Sequence, residues 1–181
     1  MSPVTTALIE YWHRLPVESV PARRRRVEAL AAAVQSGASP PSALVACALG
    51  DPEASVVVEA VSGYVEASGS PAARRAALDD ACEWIRRDLA LNRGAVIAAL
   101  LRSGAAEVYG KLAPHRLALG TTDVETVCRL LAGSAVPRRT RRYLYEWLGL
   151  LEATDGPEFA RQRTLLRGLV DARSERPRAV A

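Results

Sequence analysis

Residues 43–65 read ALVACALGDPEASVVVEAVSGYV, and this stretch decides the fold class. Its one β-branched run, Val56-Val57-Val58, is the only strand candidate in the chain. That run lies inside a longer segment with helical period, so it reads as helix. A helix opening at Pro41-Ser42 closes at Gly50. The next follows at once from Asp51, whose side-chain oxygen suits an N-cap, with Pro52 in the first helical position. It fades at Ser68-Gly69. The unit is a helix, a tight turn and a second helix.

The same punctuation extends in both directions. Towards the N-terminus, the spacing predicts a helix from Thr5 to Leu15, ended by Pro16, and one from Pro21 to Gln35 with Gly37 beyond it. Towards the C-terminus, Ser70 caps a helix with Pro71 at its start, running past Trp84 to Leu89. Further helices are expected over 93–102, closed by Gly104, over 105–112, and from Thr121 or Thr122 to Gly133. The last two run from Pro137 to Leu151 and from the Asp155-Gly156-Pro157 turn to Asp171. Ten helices joined by short connections pack as antiparallel hairpins. The expectation is an all-α chain, a short α-solenoid of helix pairs with an irregular helical bundle as the alternative. Residues 1–172 form one domain and 173–181 a frayed C-terminal tail.

Residues 43–65 resemble a HEAT-like repeat of the kind found in phycobilisome-lyase-type proteins. Asp51 and Pro52 occupy the turn, Val56 the valine place and Ala60 the alanine place, where a small residue lets two helices approach. The position after the valine, an arginine in the family, is Val57 here, so the Asp–Arg ladder between repeats is not expected at this unit. Residues 124–151 are a weaker echo, with Arg141 near the arginine place and the aspartate missing. The resemblance implies stacked helix pairs offering a long surface for a partner.

The totals set bounds. The chain has 181 residues, 49% of them hydrophobic and 24% charged, enough to bury a core. A net charge of +4 falls short of a chain built only to coat nucleic acid. Lys111 is the only lysine. With alanine and valine abundant, this is the composition of a GC-rich bacterial coding sequence, so arginine placement carries more meaning than arginine number. Cys47, Cys82 and Cys128 are odd in number and far apart, which argues against a disulfide framework and for a reducing cytoplasm. No secretory leader and no apolar run of membrane length is expected.

Enzyme chemistry finds little support. Asp79, Asp80 and Glu83 share a helix face and imitate the Mg²⁺-diphosphate box of terpene-synthase-like enzymes, but no second metal motif accompanies them. A solvated face with Glu83 paired to Arg86 and Arg87 is the simpler reading. His13 and His115 have no ligand at metal spacing. Each cysteine sits in an apolar helical pattern as a small buried hydrophobe. No phosphate-binding glycine loop or nucleophile elbow occurs, and no cofactor is implied.

Two arginine clusters remain. Arg23, Arg24, Arg25 and Arg26 open the second helix. Arg138, Arg139, Arg141 and Arg142 open the ninth, where Tyr145 projects away from the apolar stripe of Leu144, Trp147, Leu148 and Leu151. Positive charge at a helix N-terminus opposes the macrodipole, so each cluster needs some other compensation. Arginine and tyrosine are interface residues. They also grip phosphate and stack bases. The expectation is a non-catalytic protein-binding module or adaptor. The alternative is a nucleic-acid-binding helical-repeat protein, as in the HEAT-like DNA glycosylases, although no groove aspartate with aromatics can be placed here.

Overall fold

A computed structural model describes residues 2–174, and every regular element among them is helical. The ten helices are α1 (Pro3–Arg14), α2 (Val20–Gln35), α3 (Ser42–Gly50), α4 (Ala54–Glu66), α5 (Pro71–Arg86), α6 (Arg93–Ser103), α7 (Ala106–Leu112), α8 (Thr121–Ala132), α9 (Arg138–Glu152) and α10 (Ala160–Ser174). Local chemistry starts them. Ser2, Ser19, Ser70 and Asn92 each accept a backbone N–H of the first turn, and proline opens α1, α2 and α5. Gly104 ends α6 in the left-handed region at φ 67°, where a side chain would be strained. α5 stops at Arg86 rather than Leu89, because the chain turns through Asp88 at φ 55°. α10 extends past Asp171 to Ser174; the rest of the expected tail, residues 175–181, lies outside the described residues.

The even-numbered helices form one parallel layer. Arg24 early in α2 pairs with Glu59 of α4, and a Cβ added to Gly63 would come 2.9 Å from the Cβ of Ala31 further along α2. Asn92, the cap of α6, donates to the Pro52 carbonyl just ahead of α4 at 3.0 Å. Gly94 lies against Asp123 at the start of α8. Gln162 early in α10 donates to the Leu119 carbonyl just ahead of α8 at 3.0 Å. N-termini therefore meet N-termini along the whole row from α2 to α10.

The odd helices run parallel among themselves in the opposite direction. Trp12 near the end of α1 donates to the Gly50 carbonyl at the end of α3. Asp79 of α5 pairs with Lys111 of α7, and Tyr109 of α7 meets Thr140 and Tyr143 of α9. The two sets of helices thus pack against each other as an all-α helical repeat or bundle. The central helices are covered on all sides: Gly94 to Leu101 of α6 are all buried, as are Val56, Val57 and Val58 of α4. This burial is why those segments are apolar around their full circumference. Trp147 is fully enclosed with Leu144 and Leu151, as the stripe of α9 predicts.

Candidate interaction surface

The arginines that open α2 are spent inside the molecule. Arg23 is 7% exposed and donates through Nε to Asp51 Oδ2 at 2.8 Å and through Nη1 to the Glu18 carbonyl at 2.8 Å. Arg24 donates to Glu59 through Nε at 2.7 Å. Arg26 pairs with Glu18, and its guanidinium lies 4.9 Å from the centre of the Tyr11 ring. Of the four, only Arg25 is exposed with no partner among the described residues. Buried, Arg23 is therefore corrected from a partner-binding candidate to a structural residue, and Arg24 and Arg26 are ion-paired within the fold. Three carboxylates from outside the cluster compensate the charge that the helix N-terminus disfavours.

Asp51 is corrected as well. It is fully buried, closes α3 and accepts from the Tyr11 hydroxyl, from Arg23 and from the Glu53 backbone N–H at 2.7 Å. The cap of α4 is Glu53, whose carboxylate accepts from the Ser55 N–H. Burial, and then the bond to Asp51, push the Tyr11 phenol well above its usual range. An Asp–Arg contact between successive helix pairs exists after all. Its arginine comes from α2, and Arg93 of α6 makes a second such bridge to Asp123 of α8 at 2.7 Å.

Among the described residues the α9 cluster has a single carboxylate partner, Glu146. Arg138, Arg139 and Arg141 are exposed and form no ion pair or hydrogen bond among the described residues. Arg142 pairs with Glu146 at 2.9 Å, with both side chains largely in solvent. Tyr145 is 51% exposed. At 100° per residue, Arg138, Arg141, Arg142 and Tyr145 share the face opposite Trp147. Thr140 fixes the first turn of α9 on the end of α6 by donating to the Leu101 carbonyl at 2.6 Å.

Sequence spacing missed two further arginines, at the end of α6 and near the start of α5. Arg102, next to Leu101, and Arg74, in the first turns of α5, line one groove of about 780 Å³ across α2, α4 and α6. Both are exposed and unpaired among the described residues. The groove walls also carry Glu28, Glu59 and Glu66. Arg75 lies beside the groove, 3.9 Å from Glu107. No local motif announces this set, because the fold gathers it from three separate helices. Only the position of Arg74 and Arg75 near the N-terminus of α5, as fourth and fifth residues, was readable.

The other candidates for chemistry are occupied. Asp79 holds Lys111, Asp80 accepts from the Tyr64 hydroxyl at 2.7 Å, and Glu83 holds Arg86 and Arg87. Hydrogen bonding from Arg86, then Arg87, holds Glu83 down to about 2. Among the described residues no group of three His, Cys, Asp or Glu side chains is placed to hold a metal ion. The three thiols are free and buried, and burial pushes them up to about 11, 11 and 12 for Cys47, Cys82 and Cys128. Such thiols are poor nucleophiles at neutral pH. No helix among the described residues is long and apolar enough to cross a membrane. Comparison with protein-family models, curated proteins and solved structures finds no match.

Proposed function

We propose that this chain is a HEAT-like, non-catalytic binding module of the bacterial cytoplasm that engages another protein through the first turns of α9. The observation that carries this reading is the contrast between the two arginine clusters. In α2 the disfavoured charges are neutralised by Glu18, Asp51 and Glu59. In α9, Arg138, Arg139 and Arg141 lie in the first turns with no carboxylate partner among the described residues. A partner that supplies negative charge completes what the fold leaves open. Tyr145 on the same face adds a large, rigid contact of the kind that anchors interfaces. The helical stack favours this use, since Trp147 and Thr140 anchor α9 while Arg138, Arg141 and Arg142 stay exposed.

The test is affinity capture from the source cell at two salt concentrations, with wild type beside the double variant Arg138→Glu/Arg142→Glu. A protein retained at both salt levels by wild type and lost by the variant, whose melting curve is unchanged, supports the reading. Equal capture by both proteins removes α9 as the interface.

A further inference from the structure

We infer that the surface begun by α9 continues along one edge of the solenoid, through Arg102 to Arg74, and that it seats an extended acidic polypeptide segment; this rests on the α9 reading above. The parallel odd helices bring the N-termini of α5, α7 and α9 to the edge where α4 and α6 end. The Leu101 carbonyl under Thr140 ties α9 to the end of α6, and Pro137 lies against Gly104 there. Arg102 follows Leu101 directly and shares the groove with Arg74. Arg138 opens α9 and Arg74 is the fourth residue of α5, neither with a carboxylate partner among the described residues, and Arg75 has only a distant one in Glu107. Arg102 lies in the last turn of α6, where the helix C-terminus favours a cation, so Arg74 and Arg138 are the members of the strip whose positions near helix N-termini are disfavoured.

The acids in the strip select the occupant. Glu66 lies in the groove between the arginines and Glu107 beside Arg75. A nucleic-acid backbone with evenly spaced phosphates meets these carboxylates as well as the guanidinium groups, and no aromatic ring lines the groove to stack a base. A polypeptide can place discrete carboxylates opposite the arginines and uncharged residues opposite Glu66 and Glu107. Two interhelical steps of about 10 Å separate α5 from α9, roughly the reach of six extended residues.

The test is fluorescence anisotropy with three labelled probes: an Asp/Glu-rich peptide of about eight residues, its Asn/Gln counterpart, and a single-stranded oligonucleotide of equal charge. Each is titrated with wild type, with Arg74→Glu/Arg102→Glu and with Arg138→Glu/Arg141→Glu, after circular dichroism melts show all three proteins folded. The expected result is binding of the acidic peptide alone, weakened about tenfold or more by either reversal. Binding lost only in the α9 variant overturns the extended strip and leaves the α9 reading standing. Binding lost only in the Arg74/Arg102 variant overturns the α9 reading and the continuous strip with it. Tighter binding of the oligonucleotide, or no binding of the acidic peptide to wild type, overturns the inference outright.

Discussion

Arg23 of α2 donates to Asp51 at the end of α3 across a junction where Arg23 is 7% exposed and Asp51 is sealed from solvent. Two charges out of water are tolerated because each is also hydrogen-bonded elsewhere, Arg23 to the Glu18 carbonyl and Asp51 to Tyr11 and Glu53. The pair fixes how the first two helix pairs stack. Arg23→Met leaves Asp51 charged and short of a partner, and should cost about 3–5 kcal/mol in urea unfolding. Arg25→Met, two residues on and exposed, should leave the midpoint where it is. Similar midpoints for the two variants would show that the junction does not hold the stack.

Two helical glycines separate packing from propensity. A Cβ on Gly94 would lie 2.6 Å from the Asp123 carbonyl oxygen, a backbone atom that cannot rotate away. Gly94→Ala should therefore force α6 and α8 apart and cost about 1–3 kcal/mol. Gly149 on the outer face of α9 has nothing within 4 Å of that position. Gly149→Ala should instead stabilise by up to about 1 kcal/mol through helix propensity. Thermal melts of the two variants should move in opposite directions.

The thiols give a pH dependence of known sign. Burial raises Cys47 and Cys82 to about 11 and Cys128 to about 12 from an ordinary value of 9.0. Between those values the unfolded chain has lost protons that the native chain keeps. Stability from this source is thus fully present below about pH 8.5 and is lost as pH rises towards the folded values. The melting temperature should fall from pH 9 to 11, and fall less steeply in Cys128→Ala relative to its own value at pH 7. A disulfide-exchange reagent at pH 8 should label the three thiols only as fast as the protein opens. Rapid labelling of the folded protein would contradict their burial.

Most of the architecture was legible in the sequence because its signals are local. Ser70-Pro71, Gly104 and the stripe from Leu144 to Leu151 act within a few residues of themselves, and the structure places them as that chemistry requires. The roles of the charged residues were less legible because their partners are distant in sequence. Asp51 before Pro52 has the form of an N-cap, but Arg23 and Tyr11 draw it into the core and Glu53 takes over the cap. Arg23 to Arg26 and Arg138 to Arg142 look alike as strings. They differ because Glu18, Asp51 and Glu59 converge on the first, whereas among the described residues only Glu146 meets the second. Arg74 and Arg102 escaped notice for the same reason, since only the stacking of α5 beside α6 brings them to one groove.

The contrast between the clusters is the centre of the account, and paired charge reversals measure it without any partner. Arg24→Glu/Arg26→Glu places new carboxylates against Glu59 and Glu18, whereas Arg139→Glu/Arg141→Glu places them at a helix N-terminus with no acid in contact. Thermal unfolding of the two variants beside wild type, in low salt, is the direct test. The account predicts a clear fall in melting temperature for the α2 variant and no fall, or a small rise, for the α9 variant. Equal destabilisation of both would mean that the α9 arginines are as fully used by the fold as those of α2, and the interaction surface proposed for them would be gone.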